Sequence, residues 1–113
     1  MKLDHENYEQ LSVMNLRGDL TSDNTEELRA LATELMDQKQ VRDFVLNLEG
    51  VEFVDSKGLE TLLWLQEQSG ERLGQVRLAG VTANVEKILQ YTRLAPRFDR
   101  QPGVDQAIKS LRM

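Results

Sequence analysis

Apolar and polar residues change rhythm several times along the chain, and each change marks an element. Leu11-Ser12-Val13-Met14-Asn15-Leu16 is a dense apolar stretch closed by Gly18, which predicts a strand. Residues 2–8 are a weaker strand candidate, and the spacing between the two allows a hairpin around Glu9-Gln10. Asp19 to Thr25 is polar and leads into Leu28, Leu31, Ala32, Leu35 and Met36, with Glu26, Glu27, Arg29, Glu34 and Asp37 off that stripe. This spacing predicts an amphipathic helix that ends at Lys39-Gln40. Asn24 with Glu27, or Asp23 with Glu26, has the spacing of a capping box at its start. Phe44-Val45-Leu46-Asn47-Leu48 then predicts a strand buried on both faces and broken by Glu49-Gly50.

The second half repeats the alternation. Leu59, Leu62, Leu63 and Gln66 follow helical spacing, and Trp64 and Leu65 widen the apolar face. Trp64 either packs in the core or, if exposed, offers a docking anchor. Asp55 and Ser56 both suit the N-cap of this helix, because a short side-chain oxygen accepts a bond from an amide one turn inside. Gly58 falls in the first turn, where glycine costs roughly 1 kcal/mol of helix propensity relative to alanine. Such a glycine implies that another backbone, or a partner, approaches closely there. Residues 69–74 are rich in turn formers, and residues 75–81 read as a strand. Thr82 or Asn84 caps a helix whose face is Val85, Ile88 and Leu89, and Leu94 and Phe98 cover the end of the sheet. A short strand near residues 97–100 comes next, then Pro102 and the clean helical set Val104, Ala107, Ile108 and Leu111. Strands alternating with helices predict an α/β domain, a mixed sheet with helices packed on it.

Composition narrows the function classes. A chain of 113 residues suits one domain, residues 1–113, with a single core. Its net charge of −5 argues against a nucleic-acid partner. There is no cysteine, hence no disulfide framework and no thiol chemistry. No apolar run has the length of a membrane span and the amino-terminal residues are no signal peptide, so a cytoplasmic chain without direct membrane insertion is expected. Catalysis is not expected either. The one histidine, His5, lies far along the chain from Ser56, and Asp55 beside Ser56 is not a triad. Gly18, Gly50 and Gly58 are isolated and make no phosphate loop, and no cofactor or metal is implied. Asp19, Asp23, Glu26 and Glu27 lack the spacing of a calcium loop and read as a solvated acidic surface. Arg93, Arg97 and Arg100 form a small basic patch, solvated or in contact with a partner. Taken alone, Asp55-Ser56 is a helix cap.

A resemblance adds to this reading. Phe53-Val54-Asp55-Ser56-Lys57-Gly58-Leu59 resembles the signature of STAS domains, the family of bacterial anti-sigma-factor antagonists. Gly18-Asp19-Leu20 is similar to the family's Gly-acidic-Leu turn, and Thr92-Arg93-Leu94 through Phe98 is similar to its region after the third helix. The resemblance implies one STAS-type domain with a sheet of four or five strands and about four helices. It implies an anti-sigma-factor antagonist whose partner is an anti-sigma factor with serine-kinase activity, with Ser56 phosphorylated by that partner. The implied binding surface is Asp19, Thr21, Asp23, Asp55, Ser56, Lys57 and Gly58. Three positions depart from the family pattern. Thr21 and Asn47 stand where aspartates are common, and Lys57 replaces a frequent small residue and brings a charge that can pair with a phosphate on Ser56. STAS-like domains also serve as accessory subunits of membrane transporters, lipid or ABC-type, and bind the ATPase subunit. That role is the alternative.

Overall fold

In the computed structural model, which describes residues 1–111, alternation along the strands divides the apolar side chains between two faces of one sheet. Strands β1 (Lys2–Tyr8) and β2 (Leu11–Arg17) form an antiparallel hairpin. Helix α1 (Thr25–Gln38) leads to β3 (Asp43–Gly50), α2 (Ser56–Glu71) to β4 (Val76–Ala79), and α3 (Ala83–Tyr91) to β5 (Asp99–Gln101). Helix α4 (Val104–Leu111) follows, and a 3-10 turn at Ala95–Arg97 precedes β5. The strands lie in sequence order, β1-β2-β3-β4-β5, with β2 to β5 parallel.

That order places the helices. Each parallel step moves one strand further in the same direction, and a right-handed crossover returns its helix to the same face each time. Helices α1, α2 and α3 therefore share one face. Their Leu28, Leu35, Leu62, Leu65, Val85 and Leu89 close over Met14, Leu16, Phe44, Leu46 and Leu78 in the main core. Helix α4 stands on the opposite face, where Val104, Ala107, Ile108 and Leu111 cover Leu11, Val13, Val45 and Ala79. Because β3 is sandwiched, Phe44, Val45, Leu46 and Leu48 are all fully buried, as its unbroken apolar run requires.

Most expected elements occur where the residue pattern puts them, with three departures. Strand β3 does not stop at Leu48 but runs through Glu49-Gly50. Asn15 pairs with Asn47 and Arg17 with Gly50, so β3 carries an extra residue opposite Leu16, a bulge that keeps the ladder going. The buried face of α2 is also rotated from the expected one. Gly58, Leu59, Thr61, Leu62, Leu65 and Ser69 are buried, while Leu63, Trp64 and Gln66 sit at the margin. Trp64 packs against the core with the Arg29 guanidinium 4.8 Å above its ring. Helix α2 continues through the turn-rich residues as far as Glu71, because Ser69 points inward and its hydroxyl donates to the carbonyl of Arg42.

Leu46 lies on the central strand with no exposure. Leu46→Ala is expected to cost about 2–5 kcal/mol, read as a lower urea midpoint with an unchanged slope.

Candidate functional site

Residues at the carboxyl ends of parallel strands collect on one edge of a sheet, and chain leaving those strands builds sites there. Here β2 and β3 end side by side. Gly18, with φ of 97°, turns the chain and donates its amide to the Gly50 carbonyl at 2.9 Å. Pairing then resumes beyond both strands. Leu20 N–H donates to Phe53 O at 3.0 Å, and Asp55 N–H donates to Leu20 O at 3.1 Å, forming a parallel bridge between Leu20 and Val54. Leu20 has no solvent exposure. The bridge thus carries the β2–α1 loop and the segment before α2 to the same place.

Asp55 joins them. It is the N-cap of α2 in an extended conformation, and its Oδ1 accepts the Gly58 amide at 2.8 Å. Its other oxygen accepts the Ser22 amide from the β2–α1 loop at 3.0 Å. One carboxylate thus caps the helix and fixes the loop. These amides hold its carboxyl below the ordinary 3.8, Gly58 contributing most and Ser22 next, with partial burial opposing them and the Lys57 amide and charge adding smaller shares. Ser56 is the first residue of α2, not its cap, and is exposed. Lys57 is exposed as well, with its ammonium 3.3 Å from the Glu60 carboxylate.

Gly58 meets a backbone, one of the two approaches its sequence position implied. A Cβ there would lie 2.4 Å from the Leu20 carbonyl oxygen and 2.7 Å from Val54 Cγ1. Glycine is what lets the first turn of α2 settle onto the bridge.

The loop opposite is ordered by Asn24, and the expected capping box does not form. Asn24 occupies the N-cap position of α1 without a side-chain cap bond. Its Oδ1 accepts the Thr21 amide at 2.9 Å and its Nδ2 donates to the Asp19 carbonyl at 2.6 Å, so both ends of the amide fold the loop on itself. Thr21 is partly buried and its carbonyl accepts the amides of Asn24 and Thr25. Asp19 and Asp23 are exposed. The seven residues named from sequence therefore occupy two adjoining segments, 19–23 and 55–58, linked through Ser22 and Leu20.

Several contributors have parts that the residue pattern did not assign. Ser22 and Leu20 act through backbone groups, which no side-chain motif encodes. Phe53 is 44% exposed beside the joint, an aromatic presented to solvent. Its segment is held by Thr82, whose hydroxyl donates to Val51 O at 2.8 Å, and by Asn84, whose amide donates to Glu52 O at 2.6 Å. Thr82 is thus the cap of α3, and Asn84 serves the site instead. Arg100 does not belong to a free basic patch: its Nε lies 2.8 Å from the Glu86 carboxylate and its guanidinium donates to the Phe98 carbonyl. The acidic residues of the 19–27 segment do not gather, and among the described residues no group of three or more His, Asp or Glu side chains is placed to hold a metal ion. No described helix is long and apolar enough to cross a membrane.

A family model described as the STAS domain matches residues 2–107. The chain is similar to an anti-sigma F factor antagonist of Paenibacillus polymyxa, 22% identical over 111 residues that cover 98% of this chain and 92% of that protein. It superposes on the anti-sigma factor antagonist SpoIIAA in its unphosphorylated form with a TM-score of 0.85 and 24% identity, over 98% of this chain and 96% of the other. For the Bacillus cell fate determinant SpoIIAA in the phosphorylated form the TM-score is 0.75 at 23% identity, over 96% and 98%. The two superpositions establish a common fold.

Two glycines of α2 should respond oppositely to alanine. Gly58→Ala places a Cβ against the Leu20 carbonyl and is expected to lose about 1–3 kcal/mol in urea unfolding. At Gly70 a Cβ would meet nothing within 4 Å, so Gly70→Ala should gain up to about 1 kcal/mol. The Asp55 cap also sets a pH dependence. Its folded-state pKa is depressed, so its contribution is complete above 3.8 and is lost as pH falls through the lower folded value. In Asp55→Asn the acid limb of a stability-against-pH curve should be shallower than in the parent.

Proposed function

We propose that this chain, which belongs to the STAS domain family, is an anti-sigma-factor antagonist that binds an anti-sigma factor with serine-kinase activity, and that Ser56 is the switch. The observation that carries the reading is the placement of Ser56, exposed at the first position of α2 between the Asp55 cap and Lys57. A serine hydroxyl in that position is open to a visiting kinase. The enzyme would transfer the γ-phosphoryl group of ATP to Ser56 Oγ, releasing ADP and the hydroxyl proton.

The fold should tolerate the modification. Phosphate adds about −1.5 to −2 charges at neutral pH. At the start of α2 these charges lie at the positive end of the helix dipole. Asp55 already holds the Gly58 and Ser22 amides, so the connection between the two segments does not depend on the Ser56 hydroxyl.

The effect would fall on the partner. In the unmodified form Ser56 is small and neutral, and the exposed Phe53 offers an apolar anchor close by. Pressing a phosphate dianion into an acidic or apolar partner surface strips its water without compensation. The cost is several kcal/mol, about a thousandfold in affinity. Unmodified chain would therefore capture the anti-sigma factor and free its sigma factor, and modified chain would release it.

Pull-down of the partner kinase tests this. Ser56→Ala should bind and Ser56→Asp should bind far less, while equal capture by both would remove the switch. Phe53→Ala should weaken capture by about tenfold or more without lowering the unfolding midpoint.

A further inference from the structure

Lys57 and Glu60 are the charged pair next to the Ser56 hydroxyl. The ammonium lies 3.3 Å from the carboxylate, and the two side chains are 64% and 60% exposed. Helical geometry determines what surrounds them. At about 100° of turn per residue, Glu60 lies roughly 40° around the helix from Ser56 and one turn below it, and Lys57 lies about 100° around. Glu60 therefore shares the face of Ser56. In reaching Glu60, the lysine also brings its ammonium toward that face.

Phosphate on Ser56 would enter this arrangement as a third charge. Unscreened, phosphate and Glu60 form a like-charge pair at i,i+4, which opposes the helix. The lysine can satisfy either anion, and the phosphate is the more highly charged. The other charged groups nearby come from three elements. The Asp55 carboxylate already accepts two amides. On α1, Glu26 and Arg29 both line the same shallow groove as Lys57 and Glu60, Arg29 with its guanidinium over Trp64. Asp23 and Glu52 are exposed on the flanking segments.

We propose that Lys57 and Glu60 form a charge-exchange latch: when Ser56 is phosphorylated, the Lys57 ammonium leaves Glu60 for the phosphate, and the Glu60 carboxylate is released from it on the groove between α1 and α2, where Glu26 and Arg29 are its charged neighbours. This rests on the reading of Ser56 as the modified residue and deepens it. The modified chain differs from the unmodified one at two places, a partly neutralised phosphate and a Glu60 that has lost its lysine, between Glu26 and Arg29. A partner seated on the groove meets the second change even where it does not touch the phosphate.

The test uses full-length chain with phosphoserine incorporated at position 56 during translation, so no kinase is needed. The second ionisation of the phosphate is followed by phosphorus NMR, and the Glu60 carboxyl by carbon NMR. Lys57→Gln should raise the phosphate midpoint by about half a pH unit, and Glu60→Gln should lower it by less. At neutral pH the Glu60 carboxyl resonance of the phosphorylated chain should move to that of unmodified Lys57→Gln, in which the ion pair is missing. A phosphate midpoint unmoved by Lys57→Gln, or a Glu60 carboxyl resonance identical in both forms, would overturn the latch. Failure of a partner kinase to modify Ser56 would instead count against the functional reading, and the titrations would stand apart from it.

Discussion

The backbone of Leu20 is the constraint from which the site follows. Its amide donates to Phe53 and its carbonyl accepts from Asp55, so the two chains leaving β2 and β3 stay paired after the sheet proper has ended. That carbonyl also occupies the space a side chain at position 58 would need, which makes Gly58 part of the joint. Sheet, bridge, cap and helix form a continuous hydrogen-bonded path that ends in the first turn of α2, where Ser56 stands. The side chain of Leu20 contributes by being buried, which excludes water that would compete for these bonds.

Asp55 extends the constraint sideways. Capping a helix needs one carboxylate oxygen, and the second is free to accept the Ser22 amide. The β2–α1 loop is thereby fixed against α2, and Asn24 folds the loop from the other side. Two segments far apart in sequence become one surface through a single side chain. A serine or threonine at the cap would hold the helix but would lack the second oxygen needed for the loop.

Much of the fold was legible because the periodicities are strong. Leu28, Ala32, Leu35 and Met36 mark the buried face of α1, and the run from Phe44 to Leu48 marks a strand covered on both sides. The second helix was read less well. Trp64 and Leu63 suggested an apolar face by hydrophobicity, but the packing face is chosen by Gly58 and Ser69, small residues that allow close approach at the two ends. The bulge in β3 left no trace in a run of polar and glycine residues. At the site, Asp55 and the meaning of Gly58 were legible from helix-start chemistry. Ser22 was not, and neither were the parts of Leu20 and Asn84, because these parts are played by main-chain groups or by a side chain reaching across the chain to a carbonyl.

Helix α2 is fastened at both extremities, by the Asp55 cap and the Leu20 bridge at its start and by the bond from Ser69 to the Arg42 carbonyl near its end. A beam built in at either support neither swings nor slides when a load is placed on one tip. A chemical mark on this domain would then be written as electrostatic contrast on an unchanged silhouette, and a reader would have to recognise it by touch at that spot rather than by any motion relayed to the far side.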